Sequence, residues 1–285
     1  MTRIWELDFY SRPILDEAGK KLWEVAIAET VTTVEAPAVT FRYADFVTGD
    51  QVNSVTLQDA LKSAIAEAGT PPDRIRYFRR PMNNMIRKAC TDLGLPCQLS
   101  RRTVSLHNWL EERRQQVYAT HPGYNPGPVA GVQMPDEAPQ PLPDALRGDR
   151  WAFVDLPFAA LAEHGEWGID FGEAFPLAGI DLPDETPIPG LIIFASRAMP
   201  IAAWLSGLEP AWLTYDSPAK QLLLETGGSE RWTLAALNVP ALQQEATQFN
   251  AAKQAAKGLH FLAVQVDPNS DRFAGFWLLR ELPLG

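Results

Sequence analysis

The residues of this sequence that could carry out binding chemistry are concentrated between Arg74 and Arg114, where ten side chains are basic and only three are acidic. Nine of the ten are arginine, a residue that pairs bidentately with phosphate and stacks on bases. Most charge runs are solvated surface, but this concentration predicts a phosphate-binding surface. The ten residues are Arg74, Arg76, Arg79, Arg80, Arg87, Lys88, Arg101, Arg102, Arg113 and Arg114.

Aromatic residues lie among these cations. If Arg74–Arg80 is one strand, its period of two places Phe78 between two arginines on one face and Tyr77 beside Arg79 on the other. Interleaved rings and cations suit unstacked bases, so we expect Tyr77 and Phe78 to join an RNA-binding site. Arg101-Arg102 immediately precedes an expected helix, whose first N–H groups favour an anion. Single-stranded RNA is favoured over duplex DNA because the sequence has no helix-turn-helix or zinc-finger signature.

Three acidic residues near the N-terminus support an alternative. Glu6, Asp8 and Glu24 would form a group if the first two strands pair, and clustered carboxylates are what a metal-dependent nuclease needs. The simpler interpretation is that they are solvated or ion-paired positions on an edge face, with Arg12 as a partner. Both interpretations stay open on the sequence.

Other catalytic chemistry has little support. The four histidines are far apart, and Cys90 and Cys97 lack the spacing of a metal or thiol pair. The sequence contains neither a Gly-x-Gly-x-x-Gly nor a Walker-type motif. We therefore predict a protein that is not an enzyme and needs no cofactor or metal.

Basic and acidic residues are concentrated in different parts of the chain, whose net charge is −10. From Trp151 onwards, seven basic residues face sixteen acidic ones. Residues 121–150 contain seven prolines and four glycines, so we expect a linker there with little regular structure. The predicted organisation is a basic-segment domain at residues 1–120, the linker at 121–150 and an acidic domain at 151–285, which stabilises the first or docks a partner.

The predicted fold class is α+β or α/β. The first domain reads βββαβαβα, the element order of ribonuclease-H-like folds, and the second reads α+β. The expected strands of the first domain are Arg3–Ser11, Lys21–Thr30, Val39–Phe46, Arg74–Arg80 and Cys97–Leu99. Thr103 is expected to cap the last helix, and Gly94 to end the one before it. A final hairpin contains Phe276-Trp277-Leu278-Leu279, for which core burial is favoured and partner docking would need an exposed Trp277 or Leu279.

The N-terminal sequence is where a secretory or transit signal would lie. The N-terminus alternates like a strand, without a signal or transit sequence, and no apolar run is long enough to span a bilayer. Two cysteines are too few for a disulfide framework. These features predict a cytoplasmic location.

Several ordered blocks resemble the Tab/Atab family of RNA-binding proteins of oxygenic phototrophs, along nearly the whole chain. They are Trp5–Glu24, Phe78–Met82, Pro96–Arg102, Trp109–Arg113, His121–Tyr124 and Phe276–Arg280. The absence of a transit peptide suggests a cyanobacterial-type member.

The resemblance implies a function. Plastid members of the family support translation of photosystem reaction-centre messages and interact with their 5′ untranslated regions. The expected partners are therefore RNA, with an AU-rich 5′ untranslated region suspected, and translation or photosystem assembly factors. The resemblance also implies that Trp277, Leu278 and Leu279 matter for function. An assembly scaffold that binds no RNA remains a further alternative.

Overall fold

The computed structural model describes residues 2–37, 40–127 and 137–282, and the chain divides into two compact units. The N-terminal unit comprises the described residues within 1–31 and 37–135. The C-terminal unit comprises residues 32–36 and 136–282. No helix in the described ranges is both long and apolar enough to cross a membrane.

The N-terminal unit is a five-stranded sheet with the order β3-β2-β1-β4-β5. The first three strands are antiparallel, and β1, β4 and β5 run parallel. The predicted order βββαβαβα is confirmed. The elements are β1 (Ile4–Leu15), β2 (Lys21–Glu29), β3 (Arg42–Val47), α1 (Ser54–Ala68), β4 (Arg74–Tyr77), α2 (Asn83–Asp92), β5 (Cys97–Leu99) and α3 (Val104–Arg113).

Alternation along β1 separates two faces of this sheet. Trp5, Leu7 and Phe9 are fully buried against α1 and α2, which supply apolar stripes at helical spacing. The opposite face carries the alternate residues of β1 and packs against α3 through Leu106 and Trp109. One face is therefore an ordinary apolar core and the other contains the charged residues of β1.

Two local predictions in this unit need correction. The strand expected at Arg74–Arg80 ends at Tyr77, and a 3₁₀ turn covers Arg80–Met82. Pro81 has no N–H for a sheet ladder, which explains why the strand cannot extend through it. The third strand begins at Arg42, and Val39 of the predicted strand lies outside the described residues.

The expected linker is more structured than its proline content predicts. The backbone N–H of Leu15 donates to Gly123 O and that of Asn125 to Pro13 O, so residues 123–125 are bound to the end of β1. A Cβ on Gly123 would lie 2.0 Å from Leu15 O, which explains why glycine stands there. Further along, Gln140–Pro141 forms a short strand. Residues 128–136 of this segment lie outside the described ranges.

The C-terminal unit contains two sheets, with orders β10-β11-β12-β6 and β7-β9-β13-β14-β8. Its mixed α+β character agrees with prediction, although β6 and β8 were not foreseen. The strands are β6 (Gln140–Pro141), β7 (Arg150–Pro157), β8 (Gly168–Glu173), β9 (Pro187–Phe194), β10 (Pro210–Asp216), β11 (Gln221–Thr226), β12 (Arg231–Ala236), β13 (Leu259–Gln265) and β14 (Arg272–Arg280). The helices are α4 (Ala198–Leu208) and α5 (Pro240–Ala255).

His260 on β13 is a buried histidine that must stay neutral. The backbone N–H of Leu213 donates to its Nε2 at 2.8 Å, so the ring proton is on Nδ1, which lies 2.8 Å from Gly258 O. Burial, together with nearby Lys253, lowers the pKa of His260 to about 3. A proton on Nε2 would oppose the Leu213 N–H, so the folded chain resists protonation.

This lowered pKa predicts a pH dependence of stability. Between about pH 6.5 and 3 the unfolded chain binds a proton at His260 that the folded chain does not. The free energy of unfolding should therefore decrease by about 1.4 kcal/mol for each unit by which the pH is lowered in this range. Urea unfolding between pH 7 and pH 5 should show a shallower loss for His260→Gln than for the unmodified chain. His164→Gln is the comparison, because partial burial lowers the pKa of His164 in the same direction. Parallel losses in all three proteins would contradict the assignment to His260.

Candidate nucleic-acid interface

The parallel strands of the N-terminal sheet end at a common edge, which we call the carboxyl edge. It consists of Phe78–Arg80 after β4, Ser100–Arg102 after β5, and the neighbouring Asp8–Arg12 of β1. Ligands of sheets with parallel strands commonly bind beyond the carboxyl ends of those strands. The edge is therefore where a site on this fold is expected.

Asp8 lies at this edge with no exposed surface. Arg12 Nη1 donates to its carboxylate at 2.9 Å and Arg79 Nε at 2.8 Å. Burial by itself would raise the pKa of Asp8, but the two guanidinium groups outweigh it and hold the pKa below its ordinary value. Asp8 is thus an ionised carboxylate between two arginines.

Glu24, opposite Tyr10 on β2, is the second buried carboxylate of this group. Arg12 Nε donates to it at 2.8 Å, and Arg113 and the Tyr118 hydroxyl donate to it as well. Arg12 therefore connects Asp8 to Glu24. We call these six residues the Asp8–Glu24 cluster: Asp8, Arg12, Glu24, Arg79, Arg113 and Tyr118.

Glu6 has a different role on the same face. Its carboxylate accepts the backbone N–H of Leu106 at 2.7 Å and the Thr30 hydroxyl at 2.9 Å. Leu106 is in the first turn of α3, so Glu6 caps this helix from β1 and its charge favours the helix N-terminus. Thr103 stands at the cap position without a side-chain cap bond. The anion expected at this helix start is thus supplied by the protein's own Glu6.

These contacts bear on the nuclease alternative. Each carboxylate of the predicted trio accepts hydrogen bonds from protein donors, and all three are buried, so the solvated form of the simpler interpretation is wrong. Within the described part of the chain, no group of three or more His, Cys, Asp and Glu side chains is arranged to hold a metal ion. The ion-paired interpretation, with Arg12 as partner, agrees with the structure.

Aromatic rings flank the two arginines at the outer side of the cluster. The guanidinium carbon of Arg79 lies 3.8 Å from the Tyr10 ring centroid and 4.8 Å from that of Phe78. Arg113 lies 5.0 Å from the Trp109 centroid and 5.8 Å from that of Phe46. Tyr10, Phe78 and Phe46 are half-buried and so keep part of their surface open. Cations stacked on partly open rings are a surface on which bases stack.

The predicted RNA-binding residues are distributed unevenly in depth. Arg76, Tyr77 and Arg102 are buried, with exposed fractions of 0%, 1% and 4%. Tyr77 faces the apolar core, its hydroxyl donates to Asn83 at 2.6 Å, and burial raises its pKa to about 12. These three side chains do not line the surface, and for Arg76 and Tyr77 this differs from the two open faces assumed for a strand at Arg74–Arg80.

The remaining predicted cations differ in their partners. Arg79 and Arg113 are held in the cluster, while the exposed Lys88 and Arg114 pair with Asp92 and Glu111. Arg74 and Arg101 are half-buried. No carboxylate among the described residues pairs with Arg80 or Arg87, which leaves their charges available to a ligand.

The C-terminal motif lies in the core of the other unit. Trp277 is 2% exposed, and Phe276, Leu278 and Leu279 are fully buried on β14. Trp277 and Leu279 pack into the core beneath α4, while Phe276 stacks on Phe261 on the other face of the sheet. Direct docking through Trp277 or Leu279 would require exposure that neither has.

Sequence reasoning named Arg12 as an ion-pair partner but missed Tyr10, Phe46 and Tyr118. Tyr10 and Arg12 share a strand face with Asp8, and that period of two was a usable signal. Phe46 and Tyr118 join the site only through the sheet register and the turn after α3, which no local pattern specifies.

Both units are similar to known proteins. Residues 4–113 match the family model described as "RNA-binding protein Tab2/Atab2 N terminal", and residues 129–280 match that of the "RNA-binding protein Tab2/Atab2, C-terminal domain". The "Protein TAB2 homolog, chloroplastic" of Zea mays is 43% identical over 288 residues, covering 99% of this chain and 72% of its own length. The protein of the same name in Arabidopsis thaliana is 39% identical over 289 residues, covering 98% and 75%.

Among solved structures, there is a similarity to a chain from the simian T-cell lymphotropic virus intasome in complex with PP2A regulatory subunit B56 gamma. It covers 41% of this chain and 38% of its own, with 19% identity and a TM-score of 0.27. That score is too low to support an argument about fold or function.

Proposed function

Since the chain belongs to the Tab2/Atab2 family of RNA-binding proteins, we propose that it binds single-stranded RNA along the carboxyl edge of its N-terminal sheet. The observation that carries this proposal is the position of Arg79. Its guanidinium group is fixed by Asp8 and stacked on Tyr10, beside the partly open ring of Phe78. A cation held in this way loses little side-chain freedom when a phosphate or base binds.

The surrounding charges support the same surface. Arg80 follows Arg79 at the end of β4, and Arg87 lies one turn into α2 close to Tyr77 and Cys97. Both keep charges that no described carboxylate neutralises. They would contact the RNA backbone, while the rings of Tyr10 and Phe78 would stack on bases.

We further propose that the bound RNA is a message for photosystem reaction-centre proteins and that the protein supports their translation or biogenesis. This step rests on the family, whose two named plant members are chloroplastic. Sequencing the RNA crosslinked to the chain in a phototroph's cells tests it. Enrichment of reaction-centre messages, with reads in AU-rich 5′ untranslated regions, is expected. An even distribution over all messages would contradict it.

The binding surface itself predicts a salt dependence. Replacing Arg80 and Arg87 together by alanine should make the slope of log affinity against log salt less steep. The expected change in slope is about 0.7 for each phosphate that is no longer neutralised, hence roughly 1.4 for the two. The measurement is a fluorescence-anisotropy titration of the full chain with a short AU-rich single-stranded RNA over a series of salt concentrations.

The control for this titration is Lys62→Ala, an exposed cation on α1 that pairs with Asp59 at 3.0 Å. It should leave the slope unchanged. If the double variant keeps the slope of the unmodified chain, the RNA binds elsewhere on the protein. If the unmodified chain does not bind RNA, the scaffold alternative becomes the one to test, by recovering protein partners after ribonuclease treatment.

A further inference from the structure

Two guanidinium nitrogens in the Asp8–Glu24 cluster have no hydrogen-bond partner among the described residues. They are Nη2 of Arg12 and Nε of Arg113, and both atoms are buried. Leaving a buried donor unsatisfied is unfavourable, more so when the group is charged, and such donors in folded proteins usually mark a ligand, an ion or a water site. Both arginines also donate to Glu24, which places their orphan donors within one cluster.

The charges of the buried face point to an anion. Within the Asp8–Glu24 cluster, three arginines that are 13% exposed or less face two fully buried carboxylates. The arginines are Arg12, Arg79 and Arg113, and the carboxylates are Asp8 and Glu24. Burying cations in excess of carboxylates is costly unless a further anion compensates them.

The position of the excess charge indicates where the anion binds. Arg12 is 6% exposed, and Arg79 and Arg113, which pair with the same two carboxylates, are 11% and 13% exposed. The Arg12 and Arg113 guanidinium carbons lie 5.8 and 5.7 Å from the centroid of the Tyr118 ring, so both approach the same side chain. Forked guanidinium donors beside one ring in a nearly dry site suit the oxygens of a phosphate better than a singly charged halide.

We propose that the Asp8–Glu24 cluster is a phosphate-binding site, in which Arg12 and Arg113 donate their unpaired N–H groups and Arg79 contributes at the opening. The identification of this phosphate as part of an RNA backbone rests on the proposed function. The existence of a phosphate site is independent of that function, because it follows from the donors and charges of the cluster. Free inorganic phosphate offers the same chemistry, and the experiment separates the two sources.

The experiment follows the arginine Nε–H resonances of the full-length protein by NMR while inorganic phosphate is added, with sodium chloride at equal ionic strength as reference. We expect a saturable shift of the Arg113 Nε–H signal with phosphate only. Arg113→Lys keeps a cation for Glu24 but lacks this donor, so it should remove the signal and weaken phosphate binding at least tenfold. Arg114→Lys, its exposed neighbour paired with Glu111, is the matched control and should bind phosphate normally.

The outcomes are distinct. If phosphate competes with the AU-rich RNA beyond the effect of chloride, the natural ligand is a backbone phosphate. If it binds without competing, the ligand is free phosphate and RNA lies elsewhere. If no slowly exchanging arginine signal shows a saturable shift with phosphate, the proposed site is wrong. The proposal that RNA binds through Arg80 and Arg87 would not be affected by that result. The titration of the unmodified protein decides the question even if Arg113→Lys does not fold.

Discussion

Replacing Asp8 by asparagine should lower the free energy of unfolding of the N-terminal unit by about 3 to 5 kcal/mol. The substitution keeps the size of the side chain but removes the charge that faces Arg12 and Arg79. Arg79 would then lose its pair with Asp8, and Arg12 would keep only its pair with Glu24. Removing one partner from a buried ion-paired network is far more costly than the original pair was favourable. Urea unfolding of the two full-length proteins at pH 7 measures the difference.

A matched control separates burial from charge. Asp59→Asn breaks the pair with Lys62 on α1, in which the two side chains are 66% and 58% exposed, and should cost about 0.5 kcal/mol or less. The lowered pKa of Asp8 adds a second check. Its stabilisation is present above the ordinary pKa of the carboxyl and is lost as pH falls through the lower folded value. Acid should therefore narrow the gap between the unmodified protein and Asp8→Asn.

The same variant tests the nuclease alternative. If Asp8 held a metal, Mg²⁺ or Mn²⁺ would stabilise the unmodified protein by binding its folded form, and Asp8→Asn would lose that response. An ion-paired Asp8 predicts no metal response in either protein. Stability unchanged by Asp8→Asn, or metal-dependent stabilisation and RNA cleavage that vanish with it, would contradict the structural role assigned here.

The secondary structure of this chain was accessible from its sequence because the signals are local. Alternation identified β1 and β2, helical spacing identified α1 and α2, and Gly94 has the left-handed φ of +68° expected where a helix ends. The predicted strand at Arg74 is too long because alternation continues to Arg80, whereas β4 ends at Tyr77 and Arg79 bonds to Asp8.

The charged face was harder to foresee because its pairs are distant in sequence. Arg79 and Asp8 are 71 residues apart, and Arg113 and Glu24 are 89 apart. A count of charges along the chain treats every arginine as surface. Here part of the arginine charge near the end of the unit neutralises buried carboxylates near its beginning. The count was a poor measure of surface potential, yet it identified the segment that contains the cluster.

The two units differ in the kind of surface and core that they contain. Cations and partly open rings are concentrated at the carboxyl edge of the N-terminal sheet, whereas β13 and β14 of the C-terminal unit are buried almost throughout. A side chain fixed by β14 affects function through the stability of its unit. The motif at Trp277 therefore calls for a stability measurement before a binding measurement.

Trp277→Ala should destabilise the C-terminal unit by about 3 to 5 kcal/mol, the usual cost of removing a buried tryptophan. The ring packs directly over Gly275, where an added Cβ would lie 2.3 Å from it, so the cavity cannot be filled by a small shift of that strand. Trp277→Phe should recover part of the loss, because it refills some of the volume. Met199→Ala, at a side chain that is 46% exposed, is the control and should change stability little.

The comparison of these variants decides why the motif matters. If burial is the reason, function in cells should follow the unfolding free energy, with Trp277→Phe intermediate and the defect of Trp277→Ala accompanied by low soluble yield. If the motif docks a partner, Trp277→Ala should unfold at the same urea concentration as the unmodified protein while a partner no longer binds. The second result would mean that β14 leaves the core to bind, because in the folded unit Trp277 is 2% exposed and Leu279 is fully buried.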